Sequence, residues 1–154
     1  QEVTMSFLDP LQDGITHINV YSKGKTELGQ FLSNFWADPF KRYIETEDGP
    51  FRTIEGYWYW LSCKNDRLRH TAGLESKNLG RHLGAVDWLM DADFQRKILK
   101  AITTKVLMYP RMTDALRRCD LVHYYVYGNS ATEVKEGLWI MAYLDHLRQE
   151  LRNY

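Results

Sequence analysis

Between Phe51 and Lys64 the chain reads FRTIEGYWYWLSCK, which sets one carboxylate, Glu55, just ahead of Tyr57, Trp58, Tyr59 and Trp60. Rings around a carboxylate withdraw it from water and raise its pKa toward neutrality, where it can take or give a proton or face a developing positive charge. The same residue in a helix's first turn can also do no chemistry and only complement the helix dipole. Other residues of suitable type are few. Ser33 and Asn34 stand between Phe31 and Phe35, where polar groups must find backbone or ligand partners. Lys77 and Arg81 are four apart and share a helix face; they repel mildly in water and are useful against a phosphate. Arg67, Arg69 and His70 form a basic run that reads either as a phosphate contact or as a solvated face. His123, in an aromatic run, fits a core histidine better than a general base.

The elements that must position these residues follow from spacing. Thr53 is placed as an N-cap, so Glu55 falls in the first turn of a helix whose apolar face includes Ile54, Trp58 and Leu61. Ahead of it, Tyr43, Ile44 and Thr46 alternate around Asp48-Gly49, a hairpin signal. Behind it, residues 73–83 predict a helix with Gly80 inside, a glycine explained by close packing or by a ligand's approach. Phe94, Ile98, Ile102 and Val106 recur every four residues in a buried helix that Asp91 caps and Pro110 ends. Strands are predicted over Ile15–Tyr21 and Leu121–Tyr127, the second ending at Gly128. Residues 23–29 and 129–137 read as polar connectors, and a short helix over Met112–Cys119 precedes a closing amphipathic helix from Leu138.

The 154 residues suit one compact domain over 15–154 with a loosely held arm over 1–14. The reading is mainly α, an α+β multihelical domain with a few short strands. A 44% apolar content supplies a core, and zero net charge gives no general pull toward nucleic acid or anionic membrane. No apolar run reaches transmembrane length, so no membrane partner is expected. Cys63 and Cys119 lack metal-ligand spacing and predict a reduced, cytoplasmic chain. The five histidines are scattered, so no metal is expected. Absent phosphate-loop, dinucleotide, metalloprotease and nucleophile-elbow motifs argue against those chemistries and leave carboxylate catalysis or binding alone.

The order of the pieces resembles the NADAR (YbiA-like) family. The matching segments are Ile18–Tyr21, Phe31–Phe35, Phe51–Tyr59, Lys77–Arg81, Asp87-Trp88, Ala101–Lys105 and Leu121–Gly128, spread over residues 15–152. The resemblance implies an N-glycosidase that cleaves the C–N bond of a ribose derivative without a cofactor. The substrate is ADP-ribosylated guanine in nucleic acid or an ADP-ribose-bearing nucleotide, or a ribosylamino phosphate. It makes Glu55 the catalytic carboxylate. It makes Trp88 the stacking ring, Lys77 and Arg81 the phosphate ligands, and Ser33 and Asn34 polar contacts. Tyr57, Tyr124, Tyr127 and Gly128 complete the substrate-binding set.

The chain departs from the family in three places. Gly56 stands where histidine often follows the glutamate, and Tyr124 stands where the late strand often carries an aspartate. A polar segment replaces the glycine-rich loop that normally follows. These departures give the look of a divergent, phage-type member. The missing second carboxylate leaves a rival reading, a module that binds ADP-ribose or a nucleotide without cleaving it.

Overall fold

The computed structural model describes residues 9–86, 91–120, 122–127 and 131–153. The chain is mainly helical, with three two-stranded sheets among the described residues. In order these are β1 (Ile18–Asn19), α1 (Glu27–Leu32), β2 (Ile44–Thr46), β3 (Gly49–Phe51), α2 (Ile54–Cys63), α3 (Gly73–His82), α4 (Ala92–Met108), α5 (Pro110–Arg118), β4 (Val122–His123), β5 (Tyr125–Tyr127), β6 (Ala131–Glu133) and α6 (Leu138–Leu151). They group into two compact units, residues 34–108 and a second assembled from residues before 34 and after 108.

The 34–108 unit is built on α4. Its buried stripe of Phe94, Ile98, Ala101, Ile102 and Val106 is the four-residue repeat legible in the sequence. Asp91 caps it, its carboxylate accepting from the backbone N–H groups of Asp93 and Phe94 at 2.9 and 3.1 Å. The β2–β3 hairpin pairs Ile44 with Phe51 and Thr46 with Gly49, with Pro50 in β3 just outside the turn. Phe51, Ile54 and Tyr57 are fully buried, and each such side chain contributes about 1.5–3 kcal/mol of hydrophobic stabilisation. Arg96 grips Glu47 of the hairpin turn through both guanidinium nitrogens at 2.8 and 3.0 Å, fastening the hairpin to α4.

In the other unit, β1 and β4 run parallel, with Ile18 opposite Val122 and Asn19 opposite His123. The predicted strand over Ile15–Tyr21 shortens to Ile18–Asn19 because Ile15 and Thr16 donate to the Gln12 carbonyl on one side and Tyr21 donates to the Gly29 carbonyl on the other. Asp13 is 5% exposed and accepts from the backbone N–H groups of Asn19 and Lys25 at 3.0 and 2.8 Å. Asp13 thus ties the end of the expected arm to this unit, while residues 1–8 lie outside the described set. The predicted strand over Leu121–Tyr127 is broken at Tyr124, and the expected connector 129–137 contributes β6, which pairs antiparallel with β5. Helix α1, within a stretch expected to be loop, forms because Thr26 caps it onto Gly29 at 2.9 Å. Arg148 of α6 and Arg152, which caps its end, both donate to the Cys119 carbonyl at the end of α5.

One core residue of α4 is charged by type. Lys105 is fully buried, and desolvation pulls its ammonium down from 10.5 to about 7. Its nitrogen lies 5.8 Å from the centre of the Trp36 ring. Below pH 7 both folded and unfolded chains carry the proton. Between about 7 and 10.5 only the unfolded chain does, so this residue makes stability rise with pH across that window. Lys105→Met is expected to be more stable than the parent at pH 7, with the advantage shrinking by about 1–4 kcal/mol by pH 10. Urea unfolding of both proteins at the two pH values measures it.

Candidate active site at the start of α2

The first turn of α2 is capped from two directions. Thr53 has no exposed surface, and its hydroxyl accepts from Gly56 N–H at 2.9 Å while donating to the Thr71 carbonyl at 3.4 Å. The Asn34 carbonyl accepts from Glu55 N–H at 3.0 Å, which brings the Asn34 backbone against the glutamate. Gly56 is required here, because a Cβ at this position would lie 2.4 Å from the Leu68 carbonyl oxygen. The sequence treats Gly56 as a gap in the family pattern; in the fold it is the point where the helix meets the turn that follows it.

Helix α3 is drawn onto the same end of α2. Ser76, fully buried, donates to the Thr71 hydroxyl at 2.7 Å, and Thr71 donates on to the Leu68 carbonyl at 3.3 Å. One turn along, Gly80 meets Tyr59 so closely that a Cβ would sit 2.4 Å from the ring's Cγ. The mid-helix glycine is thus a close-packing glycine. Tyr59 is four residues after Glu55 on the same face of α2. Lys77 and Arg81 flank Gly80 on α3, and the positive charges of both act on Glu55.

Two opposed forces set the state of that carboxylate. Burial dominates and raises Glu55 from 4.5 to about 7, while Lys77 first and Arg81 second pull it back down. The result is an acid that changes charge near neutral pH, with two cations nearby for an anionic ligand. Among the described residues no cluster of histidine, cysteine or acidic side chains has the arrangement to hold a metal.

The remaining predicted site residues divide. Asn34 belongs to the unit of Glu55 and is half-buried. Tyr57 is corrected: it has no exposed surface, and its hydroxyl donates to Asp48 at 2.7 Å, so it is a core strut of the hairpin and not a substrate contact. Of the other rings of α2, Trp58 packs edge-on against Phe94 at 4.9 Å and Trp60 donates to Asp66 at 2.9 Å. Tyr59 is the ring turned toward the cationic helix. Ser33 closes α1 and Tyr124 packs beside Gly137, both in the other unit, where Tyr127 pairs with Ala131. Trp88 and Gly128 lie outside the described residues. A cavity of about 210 Å³ lies elsewhere in the 34–108 unit, lined by Leu61 and Lys64 of α2 and by Asp91, Asp93 and Phe94 at the start of α4.

Sequence reasoning missed Thr71 and Ser76. Small hydroxyls in a predicted loop and helix carry no local signal, and their value comes from meeting each other over the α2 cap. No family model matches the chain, and no curated protein or solved structure is significantly similar to it.

The Gly80 contact makes a measurable statement. Glycine to alanine inside a helix normally gains about 1 kcal/mol. Gly80→Ala is expected instead to lose about 1–3 kcal/mol, because the methyl collides with Tyr59. As α3 is pushed off, the cations recede and Glu55 titrates higher than in the parent. Chemical denaturation and a carbon-13 NMR titration of the glutamate carboxyls measure the two effects.

Proposed function

We propose that this chain is an N-glycosidase that hydrolyses the C–N bond between a ribose and a nitrogen leaving group. The favoured substrate is an ADP-ribosyl group on guanine, in a nucleotide or in nucleic acid; a ribosylamino phosphate is the related choice. The observation that carries the reading is the pairing of a desolvated Glu55 with two cations whose charges act on it. Cleavage passes through a sugar with positive charge spread over C1′ and its ring oxygen. An ionised Glu55 favours that charge and takes a proton from the attacking water. The water oxygen bonds to C1′, the C–N electron pair leaves on nitrogen, and the proton held by Glu55 passes to that nitrogen. Lys77 and Arg81 hold phosphate oxygens, which places the sugar beside the carboxylate. Asn34 bonds a ribose hydroxyl or the base edge, and Trp88 stacks on the substrate.

The order of motifs supports the same assignment, since the NADAR-like segments Phe51–Tyr59 and Lys77–Arg81 bear the residues that meet here. The presence of Tyr124 where the family often has an aspartate favours the second reading, a module that holds ADP-ribose uncleaved. No helix among the described residues is long and apolar enough to cross a membrane. Both cysteines are free thiols, which fits a cytoplasmic setting.

Glu55→Gln is expected to reduce single-turnover release of ADP-ribose from a guanine adduct by about 10²–10⁴-fold. The parent's kcat/KM is expected to fall about tenfold per pH unit below 7, because the ionised carboxylate is the working form. The stability effect has the opposite sense. The carboxyl's folded pKa exceeds its unfolded value of 4.5, so its contribution is present below that value and lost as pH rises through 7. Glu55→Gln is therefore expected to melt higher than the parent at pH 8. Retained activity in this variant removes Glu55 from the catalytic role, whereas intact ADP-ribosyl adduct after prolonged incubation with the parent favours the binding module.

A further inference from the structure

A second feature of the 34–108 unit lies on its surface. Phe40 is 83% exposed, at the tip of a turn that is built and not slack. Asp38 beneath it is 1% exposed, and its carboxylate accepts from Phe40 N–H at 2.6 Å and from Arg42 Nε at 2.9 Å. Its carbonyl accepts from Lys41 N–H at 2.9 Å. Lys41 itself is held at φ +61°, a left-handed conformation that costs a residue with a Cβ about 1 kcal/mol or more. A buried aspartate and a strained lysine thus act together to present an apolar ring to water beside two cations.

The turn continues into a second cationic place. Tyr43 follows Arg42 and shares a 2.9 Å hydrogen bond with His70, which ends the basic run 67–70. Arg52 joins the same run through its backbone, donating to the Arg69 carbonyl at 2.9 Å. Tyr43 and Arg52 each lie one residue beyond the Ile44–Phe51 pair, at the same end of the hairpin. The Nε of Arg52 is buried without a hydrogen-bond partner. Glu45 is an exposed acid at this hairpin end; Asp38 is spent on the turn, and Asp66, also exposed, is held by Arg69 and Trp60.

We infer that the strip formed by Phe40, Lys41, Arg42, Tyr43, Arg52 and His70 binds a single nucleic-acid strand. A base would stack on Phe40, and successive phosphates would engage Lys41, Arg42 and Arg52. A flat apolar ring set among cations is the combination such strands need, and it serves any base sequence because every base has a stacking face. An acidic peptide would use the cations but leave the ring without a partner. The inference rests on the proposed activity only in saying why a strand is there: it makes the modified base one carried by a polymer.

The test uses the intact chain and an unmodified, fluorescein-labelled single-stranded oligonucleotide of about a dozen nucleotides, followed by fluorescence anisotropy. The parent is expected to bind with an affinity that falls as salt rises, and Phe40→Ala to bind about 5- to 100-fold more weakly. Lys41→Glu, at an exposed position, is expected to weaken binding and to lower the salt slope. It also guards against an Arg52→Met variant that does not fold. Equal binding by parent, Phe40→Ala and Lys41→Glu overturns the inference, as does polyglutamate or an anionic phosphatidylserine vesicle competing as well as the oligonucleotide. Strand binding that Phe40→Ala abolishes, in a parent that hydrolyses no ribosyl adduct, supports the surface and removes the proposed activity instead.

Discussion

The approach of α3 to α2 is the constraint on which the candidate site depends. An ionised glutamate withdrawn from water is costly, and in a small domain such a group usually gives up its charge. Here Lys77 and Arg81 partly offset that cost, and they act on Glu55 because α3 lies flush against α2. The flush contact requires a missing side chain at Gly80 and a chain of small hydroxyls, Ser76 to Thr71 to the Leu68 carbonyl, over the capped end of α2. The electrostatic state of the carboxylate is in this way a packing property. A methyl group where none fits would be felt as a change in acidity.

The hairpin and α4 supply the rigid floor against which that contact is held. Glu47 is gripped by Arg96, Asp48 receives the buried Tyr57 hydroxyl, and the Arg69 guanidinium lies 4.5 Å from the centre of the Phe51 ring and 4.9 Å from that of Trp60. Exposed ion pairs of this kind contribute little singly. Their geometry matters more than their energy, since they fix the angle at which the chain leaves β3 and enters the cap of α2. Tyr57 is instructive. An aromatic residue two positions from the catalytic candidate is easily taken for a substrate contact, yet its whole ring is core and its one polar atom is spent on the hairpin.

Much of the unit was legible because its signals are local and periodic. The α4 stripe, the Thr53 cap, the hairpin around Asp48-Gly49 and the cationic pair on α3 all follow from spacing and residue type. What was not legible depends on atoms distant in sequence. Gly56 reads as a lost histidine in the sequence, yet the Leu68 carbonyl occupies the space a side chain would need. The strand expected over Ile15–Tyr21 is trimmed at both ends by carbonyls outside it, Gln12 accepting from Ile15 and Thr16 and Gly29 accepting from Tyr21. Helix α1 was hidden by its composition: a six-residue helix containing Gly29 has almost no periodic signal, and only its Thr26 cap announces it.

Buried polar groups occur in both units, and how they are satisfied separates structure from chemistry. In the unit holding β1 and β4, Asn19 exchanges two hydrogen bonds with the Tyr125 backbone, and its own N–H is taken by Asp13. His17 shares one ring nitrogen with Thr16 and the other with the Tyr125 hydroxyl at 2.5 Å. Burial holds both His17 and His123 below the usual imidazole range, and their rings pack edge-on 5.6 Å apart. Every short-range need of Asn19 and His17 is met within the fold, which is the signature of a structural network. Glu55 differs in kind. It feels two cations as charges without a salt bridge closing on either, so its carboxylate is desolvated but not consumed. For stability alone, a half-buried and only partly compensated carboxylate is a costly arrangement. On the function proposed above, the missing part of its environment arrives with a ligand that brings phosphates to the cations and a cationic sugar to the carboxylate.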